Sequence, residues 1–368
     1  MLSADNVLVT EKDGTIKAII PADEAGDNIE TFDGMLSPGF INCHCHLELS
    51  HLKGLIPKKT GLVDFVFKVV TERHFDEEVI LAAIETAENE MFKNGIVAVG
   101  DICNNTFTIA QKQKGKLWYH NFIETSGFPP SVAEERFQRS LGFYDSYSRA
   151  LPANSIVPHA PYSVSPEIFS IINTFPNNHL LSIHNQETTA ENELFKNGTG
   201  DFLRMFKKMN IDISFFHPTG KTSMQTWLPY FTKGQSIILV HNVATTKEDI
   251  AFAKLQAQTS GCSIYYCLCP NANLYISNTL PDVNLFLSDY NNIVLGTDSL
   301  ASNDELSILE EINTLQKNFL ALEQAMLFQW ATLNGAKALG IDGSYGSFEK
   351  DKKPGIVLIK EGHAKRII

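Results

Sequence analysis

The chain has 368 residues, of which 43% are hydrophobic and 20% are charged, and its formal net charge at pH 7 is −12. This composition is typical of a globular protein with one large domain or two of ordinary size. No apolar run in the sequence approaches the about 18–20 residues that a membrane-spanning helix needs, so such a helix is not expected. An acidic chain without a basic tract is also a poor partner for nucleic acid or an anionic membrane. A small substrate that is not strongly anionic is favoured, although net charge constrains a buried pocket only loosely.

The N-terminus and the cysteines indicate a reduced compartment. Residues 1–5 contain neither a basic segment nor an apolar segment of a secretion signal, so a cytoplasmic protein is expected. The six cysteines are too sparse for a disulfide framework. One alternative is a structural zinc site formed by the two Cys-x-Cys pairs, at 43 and 45 and at 267 and 269. That spacing is narrower than structural zinc sites usually have.

Both ends of the chain read as short strands. Residues 6–10 and 15–20 flank a polar turn and predict a β-hairpin. Residues 345–360 again have the pattern that is typical of strands. We expect residues 1–36 and 341–368 to combine into a small, discontinuous β-sandwich. A homodimer is a further expectation.

Between them, residues 37–340 alternate apolar strands with amphipathic helices. One helix is expected after Asp76, with an apolar stripe from Ile80 to Met91, and another over residues 322–338. After an opening strand that begins near Pro38, seven more strands are predicted at residues 96–101, 117–124, 155–159, 180–184, 236–241, 263–268 and 293–298. Eight such units predict an α/β fold, specifically a (β/α)₈ TIM barrel with its active site at the carboxyl ends of the strands.

Polar residues occur where these predicted strands end. His44 and His46 are two residues apart on the first strand, so both side chains point to the same face and can bind one divalent metal. The other residues of this kind are His159, His184, His241 and Asp298, which end strands four, five, six and eight. A barrel brings such ends around one cavity. Glu124 ends the third strand and could enter the same cavity, although a structural hydrogen bond is an equal alternative.

Seven motifs in this order resemble the amidohydrolase superfamily, in particular its mononuclear-metal branch of deaminases and chlorohydrolases. They are Pro38-Gly39-Phe40-Ile41-Asn42-x-His44-x-His46, His159-Ala160-Pro161-Tyr162, His184-x-x-Glu187-x-x-x-Glu191, Val240-His241, Cys269-Pro270-x-x-Asn273, Gly296-Thr297-Asp298-Ser299 and Thr332-x-Asn334-Gly335. The resemblance implies that the metal is held by His44, His46, His184 and Asp298. It also implies that Glu187 is the general acid/base, that His241 polarises the attacking water and that His159 contacts substrate.

The resemblance implies one divalent ion, because His159 stands where a lysine would support two metals. Zinc is the expected ion, and iron is the alternative. A non-ligand glutamate beside a metal-activated water suits hydrolytic deamination, in which the ring nitrogen must be protonated. The expected function is therefore deamination of an amino-substituted heteroaromatic ring, and the loops resemble those of enzymes that deaminate adenosine-type nucleosides. The alternatives are hydrolysis of an amide or C–Cl bond at the same metal, or a catalytically inactive binding protein.

Overall fold

The computed structural model describes residues 5–368, and its first element is an antiparallel hairpin. Strand β1 (Asn6–Thr10) pairs with β2 (Ile16–Pro21), and Val7 lies opposite Ile20. Alternation of half-buried apolar side chains with exposed ones along β2 is what a hairpin with one solvent face requires. The predicted hairpin is confirmed.

A second small sheet joins the two ends of the chain. Strand β3 (Met35–Pro38) pairs antiparallel with β12 (Ile356–Lys360), which also pairs with β13 (His363–Arg366). Two backbone hydrogen bonds connect this region to the hairpin: Ile16 N donates to Lys352 O at 2.8 Å, and Asp351 N donates to Ile16 O at 2.9 Å. Residue 37, the expected start of the central domain, lies inside β3.

Eight parallel strands form the centre of the α/β fold. They are β4 (Phe40–Cys45), β5 (Ile96–Cys103), β6 (Trp118–Thr125), β7 (Asn154–Pro158), β8 (Leu180–Asn185), β9 (Ser236–His241), β10 (Ser263–Leu268) and β11 (Ile293–Leu295). The first four form one sheet in chain order, and the last four form another. Most of their residues are buried, as expected for parallel strands covered on both faces.

Backbone hydrogen bonds link the two sheets at both junctions. His184 N donates to His159 O at 3.0 Å, where β7 meets β8. At the other junction, Thr297 N and Asp298 N each donate to His44 O at 3.0 Å, and Cys45 forms a parallel bridge with Asp298. This order and these links fit an eight-stranded barrel.

Helices follow the strands along the chain. Within residues 5–368 they are α1 (Leu62–Glu72), α2 (Glu77–Lys93), α3 (Ile109–Lys112), α4 (Ala133–Ala150), α5 (Pro166–Thr174), α6 (Thr189–Asn197), α7 (Phe202–Lys208), α8 (Ser223–Trp227), α9 (Lys247–Ser260), α10 (Pro270–Ser277), α11 (Ile308–Asn318), α12 (Gln324–Gln329) and α13 (Gly335–Ala338). None of them is long and apolar enough to cross a membrane.

Helix α2 begins and ends where the sequence predicts. Asp76 precedes it, Ile80, Ile84 and Met91 are buried, and Asn94 follows its last residue. Gly95 then adopts φ 82°, a left-handed conformation that lets the chain turn directly into β5.

The helix expected over residues 322–338 is interrupted. A π-helical turn (Trp330–Asn334) separates α12 from α13. In this turn Asn334 Nδ2 donates to Tyr290 O at 2.8 Å and to Ile293 O at 2.9 Å, so the side chain satisfies one carbonyl before β11 and one at its first residue. The eighth strand also ends three residues earlier than expected, at Leu295, and the backbone turns left-handed at Asp298, where φ is 56°.

Helix α1 was not predicted from the sequence, and its residues line the cavity at the carboxyl ends of the strands. Its buried residues Leu62, Val63 and Phe65 belong to a separate apolar cluster that includes Phe202 and Phe206 of α7. Ion pairs of 2.7 Å from Asp64 to Arg204 and to Lys208 join the exposed sides of the two helices. The two helices thus form a cover over the region where the strand-end residues meet.

Candidate metal and catalytic site

Four of the predicted residues converge at the carboxyl ends of the strands. One potential ligand atom from each of His44, His46, His184 and Asp298 lies within 4.8 Å of the others, and all four residues are buried. His46 Nε2 is 3.2 Å from His184 Nε2, and Asp298 Oδ1 is 3.4 Å from His46 Nε2 and 3.5 Å from His44 Nε2. Ligand atoms at 2.0–2.1 Å around a tetrahedral zinc ion are about 3.3 Å apart. The spacing therefore fits one divalent ion.

The hydrogen bonds of the histidines support this fit. His184 Nδ1 contacts His159 O at 2.7 Å, so this nitrogen carries the proton and leaves the lone pair on Nε2. That lone pair faces His46, and both ring nitrogens of His44 lack a hydrogen-bond partner among the described residues. Burial lowers the pKa of all three rings, most strongly those of His44 and His46, which favours the neutral imidazoles that bind metals.

Asp298 supplies the negative charge of the cluster. Burial opposes its ionisation, but neighbouring histidines, led by His46, and a hydrogen bond from Ser302 hold the pKa of Asp298 below its usual value. Ser302 Oγ donates to Oδ2 at 2.5 Å, which leaves Oδ1 facing His44 and His46. The left-handed backbone at Asp298 is a costly conformation of the kind that is common at functional sites.

Glu187 and His241 lie beside the cluster. Glu187 Oε1 is 3.6 Å from His241 Nε2, and both side chains are buried. Burial raises the pKa of Glu187 well above its usual value, and the charges of Asp298 and Glu191 raise it further. Burial likewise lowers the pKa of His241, whose Nδ1 contacts the Asn273 amide at 3.0 Å. A carboxyl group of raised pKa next to a neutral imidazole is suited to proton transfer near neutral pH.

His159 and Glu124 line the same cavity. His159 Nδ1 contacts Ser163 Oγ at 2.6 Å, and burial lowers the pKa of His159 to about 4. Glu124 Oε2 is 3.9 Å from His184 Nδ1, and this buried oxygen has no hydrogen-bond partner among residues 5–368. Glu124, His159 and His184 form a second group of metal-binding size. His184 Nδ1 is already used by the His159 carbonyl, which disfavours a second ion there.

The cavity at this point has a volume of about 160 Å³. Its lining includes the polar residues Glu187, His241 and Asp298 and the apolar residues Phe65, Val66 and Val69 of α1. A flat, largely apolar ring with a polar reacting edge matches this combination.

The cysteine alternative does not hold. All six cysteines are buried and free, and among residues 5–368 the groups of metal-binding size contain no cysteine. Burial raises the pKa of Cys43, Cys45 and Cys269, which favours the thiol over the metal-binding thiolate.

Two supporting contacts were not predicted from the sequence, although Asn273 belongs to one of the motifs. Ser302 lies four residues after Asp298, a spacing that could have suggested a side-chain contact in a turn, whereas the contact of Asn273 with His241 joins α10 to the end of β9. The apolar residues of α1 were missed because the first helix was expected only after Asp76.

Comparison with known proteins agrees with the motifs. The amidohydrolase family matches residues 35–367. A 5-methylthioadenosine/S-adenosylhomocysteine deaminase from Saccharophagus degradans is 25% identical over 375 aligned residues, which cover 95% of this chain and 77% of that protein.

Two solved structures share the fold. The aminofutalosine deaminase of Helicobacter pylori in complex with methylthio-coformycin has a TM-score of 0.83 at 23% identity, covering 97% of this chain and 88% of that one. An adenosine deaminase from Xanthomonas campestris with bound zinc has a TM-score of 0.70 at 22% identity, covering 96% and 80%. The resemblance predicted from the motifs is thus confirmed, and the chain belongs to the amidohydrolase family of hydrolases.

Proposed function

We propose that this protein is a metal-dependent deaminase that hydrolyses the exocyclic amino group of an adenosine-type nucleoside and releases ammonia. The observation that carries the proposal is the buried cluster of three histidines and one aspartate directly beside Glu187 and His241. Relatives whose names describe deamination of methylthioadenosine and S-adenosylhomocysteine, and a further relative named 5′-deoxyadenosine deaminase from Methanosphaera stadtmanae, support the adenosine-type ring.

In this proposal His44, His46, His184 and Asp298 hold one ion, zinc rather than iron. A divalent ion bound there would lower the pKa of a coordinated water from 15.7 to about 7 and so supply a nucleophile at neutral pH. Three neutral imidazoles and one carboxylate leave a net positive charge with a divalent ion. Such a charge stabilises the anionic forms that develop beside it.

Glu187 moves the proton. Its Oε1 accepts a proton from the attacking water and delivers it to the ring nitrogen next to the carbon under attack, which makes that carbon more electrophilic. The raised pKa of Glu187 keeps the proton on the carboxyl group until the ring nitrogen can take it. The carboxylate then takes the remaining proton from the hydroxyl group that has been added to the ring carbon and passes it to the amino group, so that the C–N bond breaks, a carbonyl forms and ammonia leaves as a neutral molecule.

His241 and His159 orient the reactants. His241 Nε2, at 3.6 Å from Glu187 Oε1, is placed to contact the attacking water, while Asn273 restrains the other ring nitrogen. His159, held by Ser163, faces the side on which the substrate ring enters. Glu124 lines the same cavity and has a buried oxygen without a hydrogen-bond partner, so we assign it a contact with a hydroxyl or amino group of the substrate.

The proposal also includes the division of the chain into domains. We assign residues 37–340 to a closed (β/α)₈ barrel and residues 1–36 with 341–368 to one composite β unit. Limited proteolysis should release no stable fragment that contains only one terminal segment.

A cytoplasmic location and a homodimer also stay predictions. Light scattering of the purified protein tests whether it is a dimer.

The deciding experiment combines metal analysis with an ammonia-release screen. We expect about one zinc per chain and ammonia release from at least one of adenosine, 5′-deoxyadenosine, methylthioadenosine and S-adenosylhomocysteine. A cyclic amide and a chlorinated triazine, assayed with the same zinc-loaded protein, test the two alternative hydrolases. Turnover of the cyclic amide or the chlorinated triazine but of no nucleoside would contradict the deaminase proposal. Binding of nucleosides without turnover would also contradict it.

A further inference from the structure

A lysine and an aspartate form an ion pair in the interior, next to the strand that carries His46. Lys112 Nζ, at the end of α3, is 2.6 Å from Asp101 Oδ2 of β5, and neither side chain is exposed to solvent. Such residues are almost never fully buried unless they are paired. A buried ion pair adds little net stability, because both charges lose their water. Stability alone therefore does not explain this pair.

The ammonium group of Lys112 has a full set of partners. Besides its contact with Asp101, Nζ donates to Asn121 Oδ1 at 2.7 Å and to Cys103 Sγ at 3.3 Å. An ammonium group has three N–H donors, so each donor has one acceptor. Burial opposes the charge, but Asp101 holds the pKa of Lys112 above its usual value. The cation is thus fixed against one oxygen of Asp101.

The other oxygen of Asp101 connects the pair to the metal cluster. Asp101 Oδ1 accepts a hydrogen bond from Leu47 N at 2.8 Å, and Leu47 directly follows His46. Leu47 is buried and begins a 3₁₀ turn (Leu47–Leu52), and an N–H at the start of a helix has no partner within it. The carboxylate therefore satisfies a buried N–H immediately after a candidate metal ligand.

The orientation of His46 depends on this part of the backbone. Within residues 5–368, the His46 ring contacts other polar groups only on the cluster side, at His184 Nε2 and Asp298 Oδ1. The register between β4 and β5 is irregular just before it, because it shifts between Asn42 and Cys45. The regular ladder thus ends before His46, and the Asp101 side chain supplies the next connection to β5.

We propose that Asp101 and Lys112 are positioning residues for the metal ligand His46: Asp101 holds the Leu47 amide, and Lys112 keeps the carboxylate turned towards it. The inference rests on the metal site of the proposed function. Among residues 5–368, neither residue belongs to a group of metal-binding size or lines the metal cavity. Their effect on the metal therefore passes through the backbone between Leu47 and His46.

The first test removes the ion pair in two ways that differ in the acceptor offered to Leu47. Asp101→Asn with Lys112→Met gives a neutral pair that keeps an oxygen for the Leu47 amide. Asp101→Leu with Lys112→Met gives a neutral pair of similar size without that oxygen. By chelator competition, zinc affinity should stay within about threefold of wild type in the asparagine double variant and fall about 10- to 100-fold in the leucine double variant. Equal zinc affinities of the two would overturn the proposal.

A single substitution gives a second test. In Asp101→Asn alone, one amide oxygen faces two donors, Lys112 Nζ and Leu47 N, and the charged donor forms the stronger hydrogen bond. Zinc affinity should therefore fall in Asp101→Asn and return when Lys112→Met is added. This comparison decides the question if the leucine double variant does not fold. Wild-type affinity in Asp101→Asn, or no return in the double variant, would contradict the proposal.

Two further measurements report the position of His46 separately from global stability. Hydrogen exchange of the Leu47 amide should be slow in wild type and in the asparagine double variant, and fast in the leucine double variant. In the cobalt-loaded protein, the visible absorption bands reflect the coordination geometry. They should be unchanged in the asparagine double variant and altered in the leucine double variant. A leucine double variant that kept both wild-type signals would refute the positioning role, even if urea unfolded it more easily.

Glu85→Gln with Lys114→Met is the matched control. These two residues form an exposed ion pair of 2.9 Å, and Lys114 is only two residues from Lys112. Removing this pair should change neither zinc affinity nor the cobalt bands. A loss of zinc affinity as large as in the leucine double variant would mean that the effect is not specific to Asp101 and Lys112.

These measurements do not use turnover, so they separate the inference from the deaminase proposal. If wild type binds zinc but releases ammonia from no nucleoside, the deaminase proposal is wrong, and the difference between the two double variants still supports the positioning role. If wild type releases ammonia and all variants bind zinc equally well, the deaminase proposal stands and the positioning role is wrong. A wild type that binds no zinc would contradict both.

Discussion

The Ser302 hydroxyl donates a 2.5 Å hydrogen bond to Oδ2 of Asp298, and the other carboxylate oxygen faces His44 and His46. Ser302 is fully buried and contacts the Ser299 carbonyl and hydroxyl as well. It therefore holds the carboxylate in one orientation without being a ligand itself.

Replacing Ser302 should weaken the metal site. We expect Ser302→Ala to reduce zinc affinity about 10- to 100-fold, as loss of a hydrogen bond to a ligand typically does. Competition with a fluorescent chelator measures the affinity. Ser170→Ala, which changes an exposed serine of α5, is the control and should leave it unchanged. Equal affinities of Ser302→Ala and wild type would show that the carboxylate is oriented without the serine.

Glu187→Gln should separate catalysis from metal binding. The change keeps the size of the side chain but removes proton transfer, so we expect kcat to fall by about 10²- to 10⁴-fold. Zinc content should stay at the wild-type level, because Glu187 is assigned no bond to the metal. His184→Ala should lose both the metal and the activity. Loss of zinc from Glu187→Gln would mean that Glu187 is a ligand.

Gly296→Ala should disturb the site through packing. A Cβ atom at this position would lie 2.8 Å from His44 Cβ, 2.9 Å from Cys267 Sγ and 3.0 Å from His44 N. We expect the free energy of unfolding to fall by about 1–3 kcal/mol from overpacking, and zinc affinity to fall with it as His44 is displaced. Urea denaturation and chelator competition measure the two effects.

Gly142→Ala is the matched control for this prediction. Nothing lies within 4 Å of a Cβ atom at Gly142, which is inside α4. Alanine should therefore raise the free energy of unfolding by about 0.5–1 kcal/mol, since glycine is costly inside a helix. A Gly296→Ala protein as stable as wild type would mean that the strand ends can shift to make room.

His120 should make stability depend on pH. Burial lowers the pKa of His120 to about 3, and its Nε2 contacts Ser155 Oγ at 3.0 Å. The unfolded state binds a proton near pH 6.5, so stability falls as pH decreases from 6.5 towards 3. At pH 5 this single group lowers the free energy of unfolding by about 2 kcal/mol relative to pH 7.

Chemical denaturation at pH 7 and pH 5 tests the linkage. His120→Asn removes the titrating group and keeps a polar side chain next to Ser155, so the variant should lose about 2 kcal/mol less than wild type over this interval. His363→Gln, at an exposed histidine, should behave as wild type. An unchanged pH dependence in His120→Asn would assign the effect to other groups.

Local patterns were sufficient for much of the fold. The hairpin of β1 and β2, the limits of α2 and the positions of the eight parallel strands could be predicted because each depends on residues close together in sequence: apolar periodicity, a polar turn, an N-terminal aspartate and a terminal glycine. The same reasoning placed His44, His46, His184 and Asp298 at strand ends, and parallel strands bring such ends together.

Other features depend on contacts between distant segments. The π-helical turn at Trp330–Asn334 satisfies a carbonyl at the first residue of β11. Helix α1 is held by apolar contacts with α7 and by an ion pair to Arg204, about 140 residues away in the sequence. A helix whose apolar face packs against a distant segment shows no local sign of what it covers.

The sequence by itself determined the order of the strands and the residue types of the candidate metal ligands, because ligand type and strand periodicity are local properties. Only the tertiary structure decided that Ser302 orients Asp298, that Asn273 contacts His241, and that Asp101 joins Lys112 to the Leu47 amide. Each of these relationships depends on the distance and orientation of side chains from separate elements. A one-dimensional pattern does not contain that information until the strands and helices are packed.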